Sequence, residues 1–292
     1  MDYVTPTEII NDSLQAARKK ASLSVRDMLL RGMLAGSFLG YATSLVFVVN
    51  TQGTPPVVGA ILFPVGFVML VLLGLELATG NFALLPMGAL AGEVRWRDLL
   101  RNWTWVYIGN LIGSVLYAAL FFLAITSFRT NDGGAVAALV KQVALKKTIG
   151  YMSIGGSGWA TAIVKAILCN WMVTIGTVLA LVSRSTIGKI VAMWLPIFLF
   201  FALGFEHSIV NMFVIPAGMM MGAPITMRQW WFWNQIPVTL GNALAGFLFT
   251  GVALYVTHGA KAASASAPVP TAAEKNQLEL EPALSRSAEM AS

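Results

Sequence analysis

His207 is one of two histidines in the chain and stands in Gly204-Phe-Glu-His-Ser208, a polar interruption of an otherwise apolar stretch. Imidazole exchanges protons near neutral pH, and an ionisable side chain inside an apolar span is a functional site by default. Its neighbour Glu206 opens a pattern, Glu-x4-Asn-x4-Pro-x-Gly, that the chain carries twice. The first copy is Glu76, Asn81, Pro86 and Gly88; the second is Glu206, Asn211, Pro216 and Gly218, displaced by 130 positions (206 − 76). Because the two carboxylates are equivalent in the repeat, they read as structural supports of two helix breaks, together with Asn81 and Asn211. Each carboxylate can accept N–H groups from unwound backbone or pair with Lys165 or Arg31. Thr79 and Ser208 are placed to cap the half-helices that follow. The second role open to them is contact with a small anion, drawn to the positive ends of those half-helices.

The elements that must position these residues are membrane spans. Of 292 residues, 57% are hydrophobic and 11% charged, and mean hydropathy is +0.73, which excludes an ordinary soluble domain. Stretches of the roughly 20 apolar residues needed to cross a bilayer fall near 32–50, 57–92, 102–127, 160–183, 189–222 and 235–257. The second and fifth are overlong and are broken at Glu76–Asn81 and Gly204–Ser208. Mid-depth polar backbone is tolerated only against protein or a water-lined cavity. Paired breaks in two halves therefore point to a translocation site. Further matches support the duplication: Asn102, Gly109 and Asn110 recur as Asn234, Gly241 and Asn242, displaced by 132 (234 − 102), and Arg31-Gly-Met-Leu matches Lys165-Ala-Ile-Leu, displaced by 134 (165 − 31). With three spans per half, the second half is inverted relative to the first. The fold class is thus an all-α integral membrane protein of six helices in two inverted three-helix repeats, with helices 2 and 5 interrupted.

Residues 1–30 are expected to form an amphipathic cytoplasmic helix, 31–258 the transmembrane pore domain, and 259–292 a disordered cytoplasmic tail rich in Ala, Ser, Pro and Glu. No cleavable signal peptide is expected, since the first apolar run follows a charged segment. Arg18, Lys19, Lys20, Arg26, Arg31, Arg95, Arg97, Arg101, Arg184 and Lys189 fall on one face, which the distribution of positive charge assigns to the cytoplasm. The 129–158 connection, expected as a loop with one surface helix at Ala135–Lys147, lies on the other face. The net charge of +6 follows from this orientation and carries no nucleic-acid signature. Gly32, Gly36 and Gly40 form a small-residue face suited to helix packing. Lys165, with Lys146 and Lys147 before it, can draw anions toward the mouth or anchor at the interface. Phe63, Phe67, Phe200, Leu77 and Val173 are candidates for apolar constrictions. Cys169 is the single cysteine, and no metal-ligand spacing, phosphate-binding glycine loop or nucleophile motif is present. Neither an enzyme nor a cofactor is expected.

Over roughly residues 5–257 the chain resembles the formate/nitrite transporter family. The resemblance rests on Glu76-Leu-Ala-Thr-Gly-Asn81, Ile167-Leu-Cys-Asn-Trp-Met-Val173, Gly204-Phe-Glu-His-Ser-Ile-Val-Asn-Met-Phe213 and Asn234-Gln-Ile-Pro-Val-Thr-Leu-Gly-Asn242. It implies an aquaporin-like fold, a homopentamer with one pore per protomer, and residence in the bacterial plasma (inner) membrane with both termini cytoplasmic. It also implies a central histidine at His207, a loop threonine at Thr79 and a pathway asparagine at Asn170, with Phe63, Leu77, Val173 and Phe200 as constrictions. Ala78 stands where many members carry phenylalanine, so the cytoplasmic constriction is expected to be built differently. The outer-vestibule lysine of the family has two candidates here, Lys146 and Lys147. The implied cargo is a small monovalent anion, formate first, with nitrite, hydrosulfide and lactate as alternatives. A bare charge crosses apolar rings at high cost, so the expected mechanism is channel-like movement of anion and proton together, the proton coming from His207 or from water near it. The rival expectation is an aquaporin-like neutral-solute channel, although the paired Asn-Pro-Ala tripeptides of such channels are absent.

Overall fold

The computed structural model describes residues 2–259. The tail expected at 259–292 lies outside them except for Gly259. Helix α1 (Pro6–Ala21) begins at a capping box in which Thr5 Oγ1 accepts from Glu8 N and Thr5 N donates to Glu8 Oε2. It buries Ile9, Ile10, Ser13 and Ala17 and ends at Ala21, short of the single helix expected over residues 1–30; Val25 already begins the next. Among the described residues, four helices are long and apolar enough to cross a membrane: α2 (Val25–Asn50), α6 (Trp96–Ile125), α9 (Gly155–Leu179) and the last helix, Met227–Gly259. Two further apolar segments are broken. The first joins α3 (Pro56–Leu62) and α4 (Pro64–Leu72) to α5 (Ala78–Leu90); the second joins α10 (Thr186–Ala202) to α11 (Ser208–Met220).

Both breaks have the same backbone. Gly74 and Gly204 stop α4 and α10 in the left-handed region, at φ +63° and +67°, which a side chain would make costly. The chain then runs extended to Leu77 and His207, whose φ/ψ values of −118°/118° and −114°/119° are nearly identical. Packing is set largely by small residues. Carbons added at Gly32, Gly36 and Gly40 would strike Val106, Asn110 and Tyr117 of α6, so the glycine face of α2 is a packing face. Between α6 and the last helix runs a gap, bridged by Tyr107 Oη, which meets Thr239 Oγ1 and accepts from Gln235 Nε2. The last helix contains π-helical turns at Trp231–Gln235, Ala245–Val252 and Tyr255–Gly259; Pro237, which lacks the N–H that would bond back to residue 233, loosens the first of them.

The connection expected as a surface loop and helix differs. Helix α7 (Gly134–Lys147) and the short α8 (Ile149–Met152) fill it, and α7 packs against α11 with Ala137, Val140 and Ala144 buried. The small side chains explain the close approach, since Ala144 lies against Gly218 as Ala17 of α1 lies against Gly88 of α5. Helices α1 and α7 are therefore counterparts, and the duplication extends one helix further toward the N-terminus in each half than the apolar pattern indicates.

Candidate functional site

Each break is held by one carboxylate and three asparagines, arranged alike in the two halves. Glu76 Oε1 accepts from Lys20 Nζ at 2.9 Å and Oε2 from Asn81 Nδ2 at 2.8 Å. Glu206 Oε2 accepts from Lys147 Nζ at 2.8 Å and from Asn211 Nδ2 at 2.7 Å. Asn81 donates on to Asn102 Oδ1, and Asn211 to Asn234 Oδ1. Asn102 and Asn234 in turn donate to the carbonyls of Lys20 and Lys147. The unwound backbone is fixed by a second pair. Asn110 donates to Glu76 O and Gly32 O and accepts from Ala78 N; Asn242 donates to Glu206 O and Ala166 O and accepts from Ser208 N. These asparagines satisfy backbone groups that a broken helix leaves orphaned in a membrane.

Two expectations are corrected. The carboxylates pair with Lys20 and Lys147, not with Arg31 or Lys165, because the last turns of α1 and α7 bring their lysines onto the breaks. Thr79 and Ser208 do not cap. The N-cap of α5 is Leu77, with no side-chain bond, and that of α11 is His207, whose Nδ1 accepts from Val210 N at 3.2 Å. Extended backbone at the residue before each half-helix puts the cap two positions before Thr79 and one before Ser208.

That cap fixes the histidine's tautomer. With Nδ1 accepting, the neutral ring carries its proton on Nε2, and Nε2 lies 3.0 Å from Thr79 Oγ1, to which it donates. The threonine hydroxyl keeps its own proton to give. Asn170 Nδ2 donates to Thr79 O at 3.1 Å and to Asn242 O at 2.7 Å. Asn170 Oδ1 and Ser208 Oγ are buried and have no hydrogen-bond partner among the described residues. His207, Thr79 and Asn170 therefore meet where the two half-helix N-termini converge. Their repeat counterparts are Leu77, Ile209 and Gly36, at displacements of 130 (207 − 77 and 209 − 79) and 134 (170 − 36). The scaffold is symmetric and the polar centre is not.

Of the proposed constriction residues, Phe63 and Phe200 meet edge to face with centroids 5.8 Å apart, and Phe200 stacks on His207 at 5.8 Å. Phe201, which sequence patterning did not single out, stacks on Phe63 at 3.8 Å. Leu77 and Val173 are buried in the same apolar core; Leu77 occupies the first break, and Val173 lies about one helical turn beyond Asn170 on α9. On the α7 side of Phe200 opens a cavity of about 290 Å³ lined by His207, Glu206, Lys146, Lys147 and Lys165 among others. Lys165 thus lines this cavity, and its carbonyl accepts from Glu206 N. Tyr151, another residue without a sequence signal, donates its hydroxyl to Glu206 Oε1 at 2.8 Å. A larger groove of about 440 Å³ lies in the gap between α6 and the last helix, lined mainly by apolar groups including Trp103, Tyr107 and Trp231. It contains none of the central polar residues.

This arrangement suits passage of a small polar species: a polar centre between apolar rings, with a basic mouth on one side. A family model described as formate/nitrite transporter matches residues 7–256. Among curated proteins, the chain is 35% identical to a probable formate transporter of Methanothermobacter thermautotrophicus, covering 88% of this chain and 97% of that one. It is 30% identical to the formate channel FocA of Escherichia coli K12, over 88% and 95%. Among solved structures, one titled as an FNT family ion channel superposes with a TM-score of 0.75 at 27% identity, covering 86% of this chain and 99% of that one. Another, a pentameric formate channel with formate bound, gives a TM-score of 0.64 at 27% identity, over 80% and 97%.

Proposed function

The chain belongs to the formate/nitrite transporter family, and we propose from that premise that it carries formate across the membrane together with a proton, through a channel-like pathway centred on His207. The observation that carries this reading is the pairing of His207 Nε2–H with Thr79 beside the unpartnered Asn170 Oδ1. An anion offers only acceptors, whereas a neutral acid offers one acceptor and one donor. A centre with a threonine proton to give and an amide oxygen to receive is matched to the acid.

In this mechanism Lys165 and Lys146 raise the anion's concentration in the cavity. The anion gains its proton at or before His207, crosses Phe63 and Phe200 as a neutral molecule, passes Thr79 and Asn170, and leaves between Leu77 and Val173. Glu76, Asn81, Glu206 and Asn211 hold the breaks open and take no part in proton transfer. Nitrite, hydrosulfide and lactate are treated as competitors of like charge. By analogy with the pentameric relative, five copies assemble, each with its own pore, in the plasma (inner) membrane with both termini cytoplasmic.

The test is formate uptake into proteoliposomes with lumenal pH recorded. Inward proton movement stoichiometric with formate is expected, and His207→Asn should abolish the pH dependence of uptake. Unchanged flux and pH dependence in His207→Asn would sink the central-histidine mechanism. Water or glycerol permeability without anion-linked proton flux would instead favour a neutral-solute channel.

A further inference from the structure

The cavity beside His207 is larger and more aromatic than a one-carbon anion requires. Its volume of about 290 Å³ corresponds to roughly ten waters at about 30 Å³ each and reaches the lower bound of small-molecule sites, about 300 Å³. Besides Phe200, its walls carry Phe47, Phe201 and Phe205. Two of its ammonium groups, Lys146 and Lys165, form no ion pair among the described residues, whereas Lys147 is engaged by Glu206. Asn50 lines it too. Its Oδ1 is turned against Gly59, where an added carbon would lie 2.6 Å away, which leaves the amide nitrogen as the end available to the cavity.

These rings, two uncommitted cations and an amide donor around one cavity make a site for a ligand with an apolar ring and one negative group. The geometry points to a binding site for aromatic monoanions, aryl carboxylates or aryl sulfonates, with the ring among Phe47, Phe201 and Phe205 and the anionic group on Lys146 and Lys165. Such a ligand cannot follow a small anion inward. The stack of Phe63 on Phe201, 3.8 Å between centroids, and the edge contact of Phe63 with Phe200 close the way past His207 toward Thr79 against anything as wide as a ring. The bound aromatic anion therefore plugs the mouth. The blocking consequence rests on the reading of this cavity as part of the transport path; the binding itself does not.

Benzenesulfonate is a suitable probe because it stays ionised and cannot escape as a neutral acid; methanesulfonate is the ring-free control. In vesicles reconstituted in one orientation, benzenesulfonate should inhibit formate uptake about tenfold more strongly than methanesulfonate, and only from the α7 face. Phe205→Leu should weaken inhibition about tenfold, a difference of about 1.4 kcal/mol, read against the variant's own formate uptake without sulfonate. Calorimetric titration of the purified protein with benzenesulfonate reads binding without transport. Equal inhibition by the two sulfonates, inhibition from both faces, or inhibition and binding indifferent to Phe205→Leu would overturn the site. If formate uptake is absent but ring-dependent binding is present and weakened in Phe205→Leu, the transport reading fails and the site stands.

Discussion

At the scale of single residues, the centre is defined by where the repeat departs from itself. His207 replaces a leucine, and Thr79 and Asn170 replace an isoleucine and a glycine at their counterpart positions. Thr79 has one partner on the ring, so Thr79→Val keeps the shape and leaves Nε2–H unpaired. An unsatisfied buried donor costs about 1–3 kcal/mol, and formate uptake should fall about tenfold or more while Thr79→Ser retains most of it; equal uptake by both variants would demote the hydroxyl. His207 was legible because an ionisable residue in an apolar stretch carries its own signal. Its service as the N-cap of α11 was not, since Ser208 is the commoner capping type and only the extended φ/ψ at His207 moves the cap. Phe201 and Tyr151 gave no signal either, because an aromatic in a span looks the same whether it packs against lipid or lines a cavity.

At the scale of elements, the two breaks should respond alike to loss of their cations. Lys20→Met and Lys147→Met each leave a carboxylate, about 4% exposed in its side chain, without its partner. Removing one member of a buried pair costs about 3–5 kcal/mol, so thermal unfolding in detergent should fall by a similar amount in both variants, with part regained on adding Glu76→Gln or Glu206→Gln respectively. The breaks were readable from the repeated Glu-x4-Asn-x4-Pro-x-Gly. The lysines that complete them were not, because Lys20 and Lys147, displaced by 127 (147 − 20), lie on amphipathic helices where hydropathy gives no alignment. A second element-scale feature is the strap before α1. Asp2 accepts from Ser183 Oγ, Arg184 N and Ser185 N, and these bonds, that of Ser183 foremost, hold its carboxyl below the usual range. A depressed value means the contribution is complete above the ordinary aspartate value near 3.9 and is lost as pH falls through the lowered one. A spin label at Tyr3 should therefore be immobile at pH 7, mobile in Asp2→Asn at pH 7, and released in the parent only in strong acid; release near pH 6 would contradict this.

At the scale of the whole molecule, native mass spectrometry from mild detergent should give five chains, and monomers alone would remove the pentameric assembly. A final property follows from α5 and α11. Their N-termini converge on the centre from opposite faces, so their axial dipoles oppose one another, as do the Lys20–Glu76 and Lys147–Glu206 pairs placed behind them. The framework therefore adds no net step in potential from one mouth to the other. A pore along the proposed path would take no valve from this frame, and net direction would belong to the gradients outside it. Initial rates of formate entry and exit under mirror-image gradients should agree within about twofold, and strong rectification would mean that the unlike side chains at the centre and the mouths outweigh the balanced frame that carries them.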